Sequence, residues 1–171
     1  AAPSSKDYPF VAPKWLRSFI HPEEGKVLAY MDFSHQEPCI QAALSKDANL
    51  IKATSEDVYL YTANQAGALK GVNDPDRVKA VRKDYKVTFL AKSYGMGVQS
   101  VARKLKKSVV VAREIINSIE TLFEGYYKWV KDTVEMFKIR GQMTTRHGWC
   151  RSCKGVQNLN EANAYAVSRS I

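Results

Sequence analysis

The sequence predicts an α+β protein that is mainly helical, with short β-strands near the start and near the end. The stretch "KVLAYMDF" at residues 26–33 is apolar and rich in strand-forming residues, so we expect a buried β-strand there. From there to Gly141 the apolar residues recur at helical spacing. The stretch "QMTTRHGWCRS" at residues 142–152 is typical of a β-hairpin that turns at His147 and Gly148.

The helical segments are defined by their start and stop signals. The first, "EPCIQAALSKD" at residues 37–47, follows the predicted strand. Ser55 is expected to cap a second helix, and Asp74 followed by Pro75 starts a third that ends before Gly95. Residues 98–106, 108–123 and 125–141 predict three more helices. We expect the aromatic face of the last one to lie in the core rather than to bind a cofactor.

The net charge of the 171-residue chain, +9, is concentrated in one stretch. Between residues 77 and 107 ten Lys and Arg residues stand against a single acid, Asp84, so this stretch alone carries +9. Such a basic patch points to a polyanionic partner, most commonly nucleic acid or a nucleotide. With 45% hydrophobic and 25% charged residues, the composition is that of a folded domain, and no apolar run is long enough to span a membrane.

The three cysteines indicate a reducing compartment, because their number is odd and the sequence opens without an apolar signal segment. Cys150 and Cys153 form a lone C-x-x-C pair, whereas Cys39 is far away in sequence. A zinc site would need two more ligands, and only His147 is close. Two ordinary thiols are therefore favoured over a metal site, and we expect a cytoplasmic protein.

The end of the predicted strand is the first candidate for chemistry. A carboxylate such as Asp32 is unfavourable at a buried strand end unless it binds a cation or a hydrogen-bond donor. Glu37 follows on the first turn of the next helix. With the backbone N–H groups of Ser34 to Gln36, this helix start could hold Mg²⁺ and a phosphate chain.

The third helix carries a second candidate. Arg82, Lys86, Leu90 and Tyr94 follow one another at intervals of four residues, so they lie on one helical face. A solvated basic face is the ordinary interpretation of such a stripe. The alternative is a phosphate clamp, formed by Arg82 and Lys86, beside an aromatic ring that stacks on a base.

Both candidates resemble motifs of the family A DNA polymerases, which include bacterial DNA polymerase I and many phage replicative enzymes. The stretch "MDFSHQEPCIQAALSKD" at residues 31–47 resembles their first palm motif. The stretch "RKDYKVTFLAKSYGMG" at residues 82–97 resembles their fingers motif, Arg-x3-Lys-x7-Tyr-Gly. The motifs occur in the family's order, and the resemblance covers nearly the whole chain. It implies a DNA-directed DNA polymerase of a bacterial or phage-infected cell.

The resemblance also implies roles for individual residues. Asp32, helped by the backbone carbonyl of Phe33, would ligate the two catalytic Mg²⁺ ions. Arg82 and Lys86 would bind the β- and γ-phosphates of the incoming dNTP, and Glu37 would shape the sugar pocket. The remaining implied contacts are Ser34, His35, Gln36, Tyr59, Leu90 and Tyr94 for the nucleotide, and Tyr94, Gly95, Lys104 and Arg169 for the DNA.

The chain departs from the family pattern at several positions. Leu90 stands where most bacterial members carry Phe or Tyr, which bears on discrimination of the sugar. Tyr59 stands where a His is common, and Phe33 replaces a Tyr. The family's third motif, a His-Asp-Glu turn that brings the second metal-binding Asp, does not occur in the sequence. We therefore expect that the chain does not extend a primer by itself.

The resemblance divides the chain into a partial palm at residues 1–47, helical fingers at 48–140, and a return hairpin with the start of a second palm segment at 141–171. The expected partners are primer–template DNA, dNTP and the remaining polymerase segments, in cis or in trans, and no membrane. The alternative is a non-catalytic nucleic-acid-binding module, although such a module would not need Asp32 and Glu37 facing a polyanion. A P-loop nucleotide-binding domain is disfavoured because G-x-x-x-x-G-K-[ST] does not occur.

Overall fold

The computed structural model describes residues 19–29, 31–145 and 148–152. The chain divides into two compact units, Ala1–Ser34 and His35–Ile171. The described part of the second unit is mainly helical, which confirms the predicted fold class. Its elements are α1 (Gln36–Ser45), α2 (Ala48–Thr54), α3 (Val58–Gln65), α4 (Pro75–Ser93), α5 (Val98–Leu105), α6 (Val109–Leu122), α7 (Glu124–Arg140), β1 (Gln142–Thr144) and β2 (Cys150–Ser152).

In the first unit, the predicted β-strand is not formed at residues 26–29 and 31–33. A strand is stable when its backbone N–H and C=O groups pair with a neighbouring strand, and residues 19–29 and 31–34 provide none. Val27 and Met31 are consequently 88% and 89% exposed. The prediction that Asp32 ends a buried strand is wrong for these residues, because Asp32 is exposed as well.

Aspartates are the N-caps of three helices of the second unit: Asp47 for α2, Asp57 for α3 and Asp74 for α4. Asp57 and Asp74 cap α3 and α4, and the start of α4 at Pro75 is as predicted. Ser55 is not the cap of α3; its hydroxyl donates to the Lys52 carbonyl at the end of α2, at 2.6 Å. Helix α2 is not predicted from the sequence, because its seven residues are too few to show a helical period.

A ladder of aromatic rings at the centre of the core fixes α4 against α3 and α6. The rings of Tyr59 and Phe89 meet edge to face at 6.1 Å, and those of Phe89 and Phe123 at 5.9 Å. Tyr126 and Phe137 on α7 are buried, which confirms that the aromatic face of this helix belongs to the core. The middle of α4 is therefore held by apolar packing.

Asp47 caps two helices at once. Its Oδ1 accepts from the Leu50 N–H in α2 at 2.8 Å, and its Oδ2 accepts from the Tyr126 N–H in α7 at 2.9 Å. Helix α7 begins after Phe123, which offers no side-chain cap of its own. Asp47 thus supplies both helix starts with the acceptor and the negative charge that they favour.

The predicted hairpin after α7 is confirmed by strands β1 and β2. They pair antiparallel, with Gln142 opposite Ser152 and Thr144 opposite Cys150. Gly148 has φ +83°, a conformation suited to its place in the turn, whereas His147 lies outside the described residues. None of the described helices is long and apolar enough to cross a membrane.

Candidate functional site

The four residues of the predicted stripe follow one face of α4. Arg82 and Lys86 lie on consecutive turns, with Lys86 exposed, and Leu90 packs against the core. Tyr94 follows the last residue of α4, and its N–H donates to the Leu90 carbonyl at 3.1 Å, so it continues the helical register. The Tyr94 ring is 54% exposed. The face thus presents two cations and, further along, an accessible aromatic ring.

Both cations of the predicted phosphate clamp, Arg82 and Lys86, lie over the ring of Tyr59 in α3. The Arg82 guanidinium carbon is 5.5 Å from the ring centroid, and the Lys86 Nζ is 5.7 Å from it. These are cation–π distances. Tyr59 is itself fixed, because Phe89 and His35 contact its ring at 6.1 and 5.6 Å. One buried ring therefore contacts both positive charges.

An ion pair with Asp57 holds Arg82 in place. The Arg82 Nε and Nη2 donate to the same oxygen, Asp57 Oδ2, at 2.8 and 2.6 Å. Asp57 Oδ1 meanwhile accepts from the N–H groups of Tyr59 and Leu60, at 3.1 and 3.0 Å, and so caps α3. Burial acts to raise the pKa of Asp57, but the bonds from Arg82 and the Leu60 N–H, with the Arg82 charge, hold that pKa below its ordinary value of 3.8.

The opposite end of α4 is joined to α1. The Tyr94 hydroxyl donates to the Glu37 carboxylate, and this hydrogen bond is the main cause of the raised pKa of Tyr94. One turn further along α1, Gln41 Nε2 donates to Ser93 Oγ at 3.1 Å. Gly95 then leaves the helix with φ +75°, a conformation that favours glycine. The structure thus brings together Glu37 and Tyr94, two residues that the sequence assigned to one site.

Part of the basic stretch is neutralised by ion pairs. Lys107 pairs with Asp84, the one acid of the stretch, and Lys92 pairs with Glu120 at 2.8 Å. Other cations of the stretch are exposed and have no carboxylate partner among the described residues: Arg77, Lys83, Lys86, Arg103, Lys104 and Lys106. This exposed basic surface is the part of α4 and α5 that can meet a polyanion.

The predicted metal ligands lie in the other unit of the chain. Asp32, Phe33 and Ser34 are exposed there. Among the described residues, no group of three or more His, Cys, Asp and Glu side chains could hold a metal ion. Gln36 and His35 are at the start of α1, with His35 at φ 52°. Arg169 and Cys153 lie outside the described residues.

Asp57 is the residue of this site that the sequence interpretation missed. With Ser55 as the expected cap, Asp57 falls in the first helical turn, where an acid is common, and its partner Arg82 is 25 positions away. The only local signal was a carboxylate beside the start of an apolar helical run. A separate open cavity of about 410 Å³ lies between α7 and β1, and none of the predicted site residues lines it.

Comparison with known proteins identifies what the chain resembles. The model of DNA polymerase family A matches residues 11–170. DNA polymerase I of Caldicellulosiruptor bescii is 28% identical over 147 residues, covering 86% of this chain and 17% of that protein. The thermostable DNA polymerase I of Thermus thermophilus is 31% identical over 137 residues, covering 77% of this chain and 16% of the relative. The chain therefore spans about a sixth of the length of these relatives.

A solved structure is similar in both sequence and fold. It is the POL domain of Pol1 from M. smegmatis in complex with DNA primer-template and dNTP. The TM-score is 0.66 and the identity 26%, over 81% of this chain and 25% of that chain. That polymerase binds a primer-template and a nucleotide.

Proposed function

This chain belongs to DNA polymerase family A, and from that membership we propose that it binds the incoming dNTP and the template during template-directed DNA synthesis. In this proposal residues 48–140 are the fingers, and residues 1–47 and 141–171 belong to the palm. The activity is that of a polymerase in which this chain is one part. The remaining palm and the thumb are supplied by other segments, in cis or in trans.

The observation that supports the proposal best is the pair of cations on Tyr59. Arg82 and Lys86 lie one helical turn apart, and their charged groups are 5.5 and 5.7 Å from the centre of the same ring. Two neighbouring phosphates of a triphosphate can each bind one of two adjacent cations. Phosphoryl transfer depends mainly on positioning and on neutralising charge, and a pair of adjacent cations contributes to both.

The other residues of the face would act on the base and the sugar. Tyr94 is exposed enough to stack on the template side, and Gly95 allows the backbone to approach. Glu37, whose carboxylate accepts from the Tyr94 hydroxyl, would border the sugar and disfavour a 2′-hydroxyl. Leu90 offers an apolar contact without a ring face, so we expect it to discriminate less between sugars than Phe or Tyr would.

Asp32 and the carbonyl of Phe33 would hold Mg²⁺. Both are oxygen donors, the type of ligand that Mg²⁺ prefers, and the Asp32 carboxylate is exposed and so able to bind. One carboxylate does not complete a site for two ions, so the other ligands would come from the rest of the polymerase. When bound, the ions stabilise charge on the transferred phosphoryl group.

Binding of the triphosphate by Lys86→Ala is the direct test of this function. A charge-assisted contact is worth about 1.5–3 kcal/mol, so the substitution should weaken dNTP binding by roughly ten- to a hundred-fold. Binding of a nucleoside without phosphates should change little. Lys79→Ala is the matched control, since Lys79 is on the same helix but pairs with Asp76. Equal weakening of both ligands in calorimetry would contradict the phosphate clamp.

A second candidate function is nucleic-acid binding without catalysis, and the exposed basic surface favours it. Such a module would bind DNA through phosphates alone. It would have no preference for a triphosphate over a nucleoside beyond general charge attraction. Lys83→Ala separates the two functions, because Lys83 belongs to the exposed basic surface but not to the phosphate clamp. A diffuse basic surface would respond equally to the loss of Lys83 or Lys86.

A further inference from the structure

The contacts of Arg82 suggest a role for Asp57 that depends on the proposed nucleotide-binding function. Two of the five N–H groups of the Arg82 guanidinium, one on Nε and one on Nη2, are bound to Asp57. The other three have no acceptor among the described residues. Arg82 is also 35% exposed, so these groups can reach a ligand from solvent.

The two edges of a guanidinium group can serve different partners. Asp57 occupies the edge formed by Nε and Nη2, which leaves the edge formed by Nη1 and Nη2 for a second anion. A phosphate can accept two parallel N–H bonds from that edge. Bonding to Asp57 is therefore compatible with bonding to phosphate at the same time.

Asp57 is well suited to fix the direction of this free edge. Its other oxygen is bound to two backbone N–H groups at the start of α3, so the carboxylate itself is fixed by the helix. The Tyr59 ring supports the guanidinium from the same helix, at 5.5 Å. An arginine side chain loses considerable rotamer freedom on binding, and a guanidinium ordered beforehand loses less. Lys86 has no carboxylate partner of this kind among the described residues.

The geometry points to Asp57 as the positioning residue of the phosphate clamp: it holds Arg82 by one edge and presents the other edge to the terminal phosphates of the nucleotide. Asp57 does not touch the nucleotide and acts only through Arg82. Its carboxylate lowers the net charge of the clamp, but it fixes the geometry in which the remaining N–H groups bind. The affinity gained by ordering the guanidinium beforehand exceeds the affinity lost through the lower net charge.

Asp57→Asn tests this role, since asparagine is an equally good helix cap but carries no charge to hold Arg82. We expect the 171-residue chain to bind dNTP about ten-fold more weakly with this substitution, and a nucleoside equally well. Asp74→Asn is the matched control, because Asp74 caps α4 and has no arginine partner among the described residues. Asp57→Ser, which also keeps a capping oxygen, provides a second variant if Asp57→Asn does not fold.

A double-mutant cycle shows whether Asp57 acts through Arg82. In an Arg82→Ala background, Asp57→Asn should no longer change dNTP binding. Unchanged or tighter dNTP binding by Asp57→Asn in the wild-type background, or an equal loss in the Arg82→Ala background, would overturn the positioning role alone. If the unsubstituted chain does not prefer the triphosphate to the nucleoside, the proposed function itself fails.

Discussion

Replacement of Gly125 by alanine should destabilise the protein, although this substitution usually stabilises a helix. Gly125 lies in the first turn of α7, and a Cβ there would be 2.7 Å from Asp47 Oδ2 and 3.3 Å from Asp47 Cγ. Real Cβ atoms do not approach other atoms so closely, and Asp47, only 7% exposed, is held by bonds to two helices. The carboxylate must therefore move off the Tyr126 N–H.

The size of the effect follows from two opposing contributions. Gly-to-Ala in a helix gains about 0.5–1 kcal/mol, and a hydrogen bond to a charged group is worth about 1.5–3 kcal/mol. The free energy of unfolding should therefore fall by about 1–2 kcal/mol in Gly125→Ala. With a urea m-value of about 2 kcal/mol/M, the middle of the usual range, the midpoint should fall by roughly 0.5–1 M at an unchanged slope.

Urea unfolding of the 171-residue chain, followed by circular dichroism, measures this change. The matched control is the same substitution in an Asp47→Ala background, where no carboxylate is left to displace. There Gly125→Ala should be neutral or stabilising, so it should no longer lower the free energy of unfolding. Stabilisation by Gly125→Ala in the wild-type background would refute the shared cap as the reason for glycine at this position.

The remaining predictions concern DNA, catalysis and pH. Binding to a primer–template, measured by fluorescence anisotropy, should weaken steeply between low and physiological salt, and an affinity that is flat across this range would exclude the exposed basic surface as the contact. Once the remaining polymerase segments are supplied, Asp32→Ala should abolish primer extension, and full activity of this variant would contradict its role as a metal ligand. Because the pKa of Asp57 is depressed, the stability that Asp57 contributes is complete above its unfolded pKa and is lost as the pH falls through its lower folded pKa. Asp57→Asn should therefore lower the urea midpoint at pH 7, and the difference should vanish well below pH 3.8; a difference that persists there would disprove the ion pair as its source.

Local signals in the sequence predicted the helix that carries the site. Asp74 and Pro75 start α4, Gly95 follows its end, and the four-residue spacing places Arg82 and Lys86 on one face. Each of these signals lies within a few residues of the feature that it determines. Helix starts and helical faces depend on such short-range chemistry, so a single sequence is enough to predict them.

Features that depend on distant residues could not be predicted. The ion pair of Asp57 and Arg82 joins residues 25 positions apart, and nothing in either segment specifies the partner. The strand expected at residues 26–33 has the right composition, but strand formation depends on a neighbour that residues 19–29 and 31–34 do not provide. Ser55 is a residue type that often caps helices. In the structure Asp57 accepts from two backbone N–H groups instead, so α3 begins at Val58.

The shared cap at Asp47 makes two distant parts of the chain open together. Asp47 and Tyr126 are 79 positions apart, yet one carboxylate bonds to the N-termini of α2 and α7. Helix ends usually fray independently, at little free-energy cost. Here, fraying of α7 at Tyr126 leaves a buried charge with one of its partners missing, which also weakens the start of α2. The first turn of α7 is therefore coupled to the junction between α1 and α2, since displacement of Asp47 removes a hydrogen bond from both.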